Sequence, residues 1–336
     1  MKLASFLSLI VSSILFSGCS GKQYFEPEKI HSVSTSSYGS SIMDLSRDGA
    51  TLVNGHYIGK SGVNHKIELA KGYRFLSENS HYVLSANIEG VLNIIDKDTN
   101  EAIRAVALHT PVVSATIRNG LIAYILNNNT FGLYRISDNK KVFENRSERT
   151  YAIDTRAASP MFIDNLVVMP MLDGKLIIVD AANSDNTKVV YLSSNQVFNN
   201  VIYLSRTGNT MVATTPKKVI TIGNNGKKEY RANISEVAIS DNNIYLFTKE
   251  GEVIRLNKSL EVLARKKFKF AHFSAATTFL DKVFGLDQQG ALIVLSSDLS
   301  QSKVYDLGKV KKPAFITGTK LYKDGDIVDL ATLNYE

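Results

Sequence analysis

The chain has 336 residues, 44% hydrophobic and 21% charged, with 39 basic against 32 acidic side chains, 6 prolines, no tryptophan and one cysteine. That composition excludes intrinsic disorder and collagen-like sequence, and the length suffices to bury a large core without covalent staples. A lone cysteine excludes disulfides within the monomer and every zinc or iron–sulfur site built from several cysteines.

At the N-terminus, Met1-Lys2 gives a positive start, Leu3 to Phe16 is an apolar run broken only by small residues, and Ser17-Gly18 precede Cys19. The run falls short of the ~20 residues that span a bilayer as a helix, so residues 1–18 read as a signal peptide. The pattern resembles a bacterial lipoprotein signal. That resemblance implies cleavage before Cys19, lipidation (palmitate included) of its side chain and new N-terminus, and, with Ser20 following, delivery to the outer membrane. Cleavage removes Lys2 and no acid, leaving 38 of the 39 basic residues against 32 acidic ones, a net charge of +6. The lysine pairs at 140–141, 217–218, 227–228 and 311–312, and the denser Arg265-Lys266-Lys267, are separated by tens of residues and flanked by turn formers. They read as solvated turn residues; a nucleic-acid footprint needs them on one face with stacking aromatics between. No nucleic-acid partner is expected, whereas attraction to anionic lipid near the anchor is compatible with the excess.

Residues 19–40 read as the lipidated cysteine followed by a polar, Ser-rich tether, flexible by composition. From residue 41 to 336 the texture is one of short apolar runs closed by Asn, Asp, Gly or Lys, such as Ile122-Ala-Tyr-Ile-Leu126 and Ile244-Tyr-Leu-Phe247. No stretch repeats with the 3.6-residue period of a helix, so the fold class is all-β.

A unit recurs within that region: an acid or amide, a glycine, then an alternating apolar strand. It reads Glu89-Gly-Val-Leu-Asn-Ile-Ile-Asp96, Asp173-Gly-Lys-Leu-Ile-Ile-Val-Asp180, Glu250-Gly-Glu-Val-Ile-Arg-Leu-Asn257 and Gln289-Gly-Ala-Leu-Ile-Val-Leu-Ser296, with weaker copies at 129–136 and 216–222. Gly251 and Gly290 are 39 residues apart, and the wider intervals of 84 and 77 residues each contain one weaker copy. A period near 40 is the size of a four-stranded propeller blade. Turns such as Asn119-Gly120 supply the positive φ angles that tight antiparallel hairpins require. Blades are expected to start near residues 41, 73, 111, 157, 199, 233 and 271, with a last unit over 313–333 that is one strand short. The segment before Ile42 can supply that strand, which gives eight blades, with seven as the alternative, in a single β-propeller domain over 41–336.

The strand–Asp–Thr-Asn-Glu arrangement at Gly90 to Glu101, and Ser159-Pro followed by a strand and Asp173-Gly, resemble the repeat of quinoprotein-type (PQQ-repeat) β-propellers. With the lipid anchor and this length, the chain resembles the BamB-like outer-membrane lipoproteins of that superfamily. The resemblance implies a non-catalytic scaffold facing the periplasm, anchored through Cys19, that assists insertion of outer-membrane β-barrel proteins as part of an envelope complex. The alternatives are an accessory subunit of another envelope machine, flagellar or secretory, and a periplasmic enzyme or ligand binder that uses the propeller channel.

Three motifs bear on chemistry. Gly55-His-Tyr-Ile-Gly-Lys-Ser61 has three residues between its glycines where a phosphate loop has four, and no helix follows. Asp96-Lys-Asp-Thr-Asn100 begins like a calcium loop, but Glu101 stands where the loop needs Gly and Ala107 where it needs a bidentate Glu. The histidines at 31, 56, 65, 81, 109 and 272 have no metal-ligand spacing. No catalytic, cofactor-binding or metal residue is assigned; the one site residue is Cys19, for lipidation, and the chain is expected not to be an enzyme.

Overall fold

In a computed structural model, residues 23–150, 153–193, 197–224 and 226–336 are described. The signal peptide and Cys19 lie outside the described residues. The rest forms eight four-stranded antiparallel sheets, with a single 3-10 turn at Leu330–Thr332. Seven sheets are consecutive meanders, blades 1 to 7, over residues 42–64, 74–107, 112–146, 161–191, 203–231, 234–267 and 273–306. Blade 8 takes three strands from residues 315–329, and its outermost strand is Thr35–Ser37, paired through Thr35↔Val328 and Ser37↔Asp326. The ring therefore closes by joining the two ends of the chain, as the missing strand predicts.

Eight apolar clusters hold the ring, one between each pair of successive blades. Tyr57 of blade 1 stacks on Phe75 of blade 2 at 4.7 Å, and Tyr38 meets Tyr322 edge-on at 5.4 Å where blade 8 meets blade 1. Each fully buried side chain of this size contributes about 1.5–3 kcal/mol, so the eight seams carry the fold.

The recurring glycine has a specific task. Gly90, Gly174, Gly251 and Gly290 all have positive φ, between 78° and 102°. Their carbonyl oxygens accept from Leu108, Leu192, Phe268 and Leu307 N–H at 2.8–3.0 Å, at the point where the chain leaves one blade for the next. A Cβ on Gly90 would lie 2.3 Å from Thr110 N, and one on Gly290 would lie 2.0 Å from Gly308 O. Close backbone approach as well as turn conformation thus demands glycine there.

The structure changes one expected boundary. The Ser-rich segment is in part packed: Thr35–Ser37 belongs to blade 8, His31 bridges in parallel to Tyr305 on the outer strand of blade 7, and Phe25 meets Phe268 edge-on at 5.8 Å. The propeller therefore begins before residue 41. Serine and threonine, poor in a core, are acceptable on an outermost strand whose side chains face water, and residues 35–37 are all exposed.

Candidate functional site in the central channel

The innermost strands of the eight blades line the channel, and blade 1 departs from the others there. In blade 3 the inner hairpin pairs from Val112↔Leu126, through a bulge, to Arg118↔Leu121. In blade 1 pairing ends at Leu45↔Ala50, just past the equivalent bulge, and the chain turns at Ser46–Gly49, with Ser46 N–H donating to Gly49 O at 2.9 Å. The turn therefore falls part-way along the channel, and its side chains point across it. A Cβ on Gly49 would sit 2.2 Å from Ile58 O, so the turn needs glycine for space.

Arg47 at the tip of this turn reaches the far side of the ring. Its guanidinium donates to Ile202 O at the entry to blade 5, lies 5.7 Å over the Tyr203 ring, and pairs with Glu236 of blade 6 at 3.6 Å. Arg156, on the lead into blade 4, pairs with the same Glu236 at 3.6 Å and forms a two-point contact with Asp154, at 2.7 and 2.5 Å. Asn200, wholly buried, fixes that lead: it accepts from Asp154 N–H and donates to Asp154 O and Arg156 O. On the near side Arg74 donates to Val112 O and Val113 O at 2.8 and 2.7 Å and faces Asp44 at 3.6 Å.

Burial dominates the electrostatics of this belt. It pushes the Glu236 carboxyl up, against the pull of Arg47 and Arg156, and pushes Asp48 up as well. It also works to raise Asp154, but the hydrogen bonds and charge of Arg156 prevail and hold that carboxyl below its usual range. Burial raises the Tyr203 phenol too. Three arginines thus stand among four carboxylates, Asp44, Asp48, Asp154 and Glu236, and Arg47 and Arg74 also donate to backbone carbonyls. Such an arrangement ties the Arg47 turn of blade 1 to the lead into blade 4 and to the inner strand of blade 6.

The belt divides the channel. On one side a cavity of about 590 Å³ is lined by Met43, Leu45, Arg74, Ala275 and Phe315. On the other, spaces of about 440 and 410 Å³ open beside His272 and Gln288 and beside Lys309. Glu236 and Arg156 border both the first and the second.

The sequence motifs fall elsewhere. Gly55 to Ser61 forms the turn into, and all of, the strand Tyr57–Gly59, so it is no loop for phosphate. Asp96 Oδ1 accepts from Asp98 and Thr99 N–H, which makes the calcium-like run a blade turn. His56 and His65 meet edge-on at 5.7 Å, a proximity that their spacing did not announce, and His56 Nδ1 is 3.0 Å from Ile67 O. Among the described residues no group of three His, Cys, Asp or Glu side chains is placed to hold a metal. The belt itself was missed by sequence reasoning. Its only local signal is Arg47-Asp48-Gly49 set unusually soon after the start of an apolar run.

No family model matches the chain. It is 27% identical to the plasminogen-binding protein PgbB of Helicobacter pylori strain J99 over 95% of this chain and 68% of the relative. The PgbB of strain 26695 matches equally, over 95% and 67%. Among solved structures, BamB from Moraxella catarrhalis superposes with a TM-score of 0.67 at 15% identity, covering 89% of this chain and 98% of that one. Saccharomyces cerevisiae Sqt1 gives 0.66 at 11%, with the same coverage. These likenesses show the fold alone, a β-propeller, here of eight blades, with BamB among its structural neighbours.

Proposed function

We propose that this protein is a non-catalytic propeller scaffold, held at the outer membrane by lipid on Cys19, that works by binding other proteins. The observation that carries the reading is similarity to proteins named for binding plasminogen, spread over 95% of the chain and not confined to one segment. The paired-up belt across the channel supports it, because the charged groups best placed to act on a channel substrate are committed to one another.

For the partner, the lipoprotein-like N-terminus and the BamB-like ring support a place beside the barrel-assembly machinery of the outer membrane. The PgbB relatives favour a second reading, binding of plasminogen at the cell surface. Both are tested by capturing the tagged, full-length protein from mildly solubilised outer membranes, with Cys19→Ala as control, and by passing plasminogen over the immobilised protein. Recovery of the barrel-assembly core, lost in the control, supports the first. Saturable plasminogen binding without that core supports the second, and failure to capture any protein in either experiment overturns the protein-binding scaffold.

A further inference from the structure

The packed tether fixes which part of the ring faces the membrane. Resting on the reading of Cys19 as a lipid anchor, we propose that the outer strand of blade 6 and the loop after it, from Val262 to Lys269, lie against the anionic phospholipid headgroups of the leaflet that holds the anchor. Two independent features lead there.

The first is reach. Cys19 is four residues before Gln23, so it lies within about 14 Å of it even if the chain between is fully extended. Two residues on, Phe25 packs on Phe268, in the apolar cluster between blades 6 and 7, and His31 hydrogen-bonds with Val304 and Asp306. The anchor is therefore leashed to the seam of blades 6 and 7, and the opposite rim, at blades 2 and 3, is held away by the width of the ring.

The second is surface chemistry at that seam. Val262 and Leu263 are 42% and 49% exposed on an outermost strand, an apolar pair with no cover from the ring. Beyond them come Arg265, Lys266, Lys267 and Lys269. Arg265 is matched by Glu252 at 2.9 Å; Lys266 and Lys267 donate to the backbone carbonyls of Ser300 and Glu250, with the Glu250 carboxylate near enough to feel the charge of Lys267, and Lys269 lies over the Phe270 ring at 4.8 Å. On the tether Glu26 and Glu28 are set against Lys29, and Glu261 precedes the apolar pair, so the positive excess lies at the far end of the strand. Short aliphatic side chains beside lysines suit the boundary of headgroups and acyl chains, where the ammonium groups meet phosphate and the stems stay apolar. Each lysine held near an anionic leaflet raises partitioning by roughly fivefold at low salt.

The test uses the full-length lipoprotein, reconstituted in phosphatidylethanolamine vesicles with and without phosphatidylglycerol. With Cys19 consumed by lipid, a reporter dye is placed through Leu263→Cys or, as the distant control, Ile103→Cys on blade 2, and is quenched by a headgroup-attached quencher. The expected result is quenching several-fold stronger at position 263 than at 103, larger with phosphatidylglycerol, and reduced by added salt or by Lys266→Gln/Lys267→Gln/Lys269→Gln. Equal quenching at the two positions in a chain whose N-terminal peptide carries the lipid mass would overturn this orientation alone. An unmodified Cys19 in that peptide would overturn the anchor reading and the orientation with it.

Discussion

Blades 1 and 3 are built from the same repeat and do different work. Blade 3 runs its inner hairpin the full depth of the ring, and Tyr124 and Ile122 are buried in the apolar seam with blade 2. Blade 1 stops short, and the residues it saves on pairing become a turn that ties the ring across its diameter through Arg47. The cost is visible: Arg47 Nε and Asp48 Oδ2 are covered without a partner, where a buried polar atom left unpaired costs about 1–3 kcal/mol. The regular blade is joined to blade 2 through an apolar seam and the hydrogen bonds of Arg74 to Val112 O and Val113 O, whereas the short one adds a charged contact across the channel whose strength depends on geometry and pH.

That contrast ranks the effects of substitution. Tyr124→Ala should be the most damaging, by about 3–5 kcal/mol, because it empties a fully buried site in the seam and removes the hydrogen bond to Glu144; the shift of the denaturant midpoint reads it. Gly90→Ala follows at about 2–5 kcal/mol, combining a left-handed φ with overlap on Thr110, against about 1–2 kcal/mol for Gly120→Ala, where φ is positive but no atom lies within 4 Å. Equal losses at the two glycines would remove close packing as the reason for the repeat. Arg47→Ala should cost about 2–3 kcal/mol, less than the 3–5 expected when a buried ion loses its whole partner set, because Arg156 still faces Glu236.

The smallest effect concerns pH. Asp154 titrates below its ordinary 3.8 in the folded chain, so its contribution is fully present above that pH and is lost as pH falls through the lowered value. Asp154→Asn should therefore flatten the acid limb of melting temperature against pH below about pH 4 and leave its slope near neutrality unchanged. An unchanged acid limb would show that Arg156 does not hold that carboxylate.

Strand positions and blade starts were legible in the sequence because they rest on local rules: alternation of apolar residues and glycine or asparagine at positive φ. The expected starts at 111, 233 and 271 fall within two residues of the strands at Val112, Ile234 and Phe273. Blades 4 and 5 begin four residues later than expected, since Ala157 to Pro160 and Asn199 to Ile202 approach the channel as irregular chain. The belt was not legible, because Arg47 and Glu236 are 189 residues apart and neither belongs to a motif. Nor was the docking of Phe25, an isolated aromatic in a polar segment whose partner, Phe268, is supplied only by the closed ring.

On the proposed scaffold reading, partners bind the outside of a ring whose channel is crossed by the Arg47–Glu236 belt. It is tested most directly by measuring, for the partner that the intact lipoprotein captures, the affinity of the wild type and of Arg47→Ala, with folding of the variant verified by its melting transition. Unchanged affinity is expected. A folded Arg47→Ala protein that loses its partner would contradict it and place recognition in the channel.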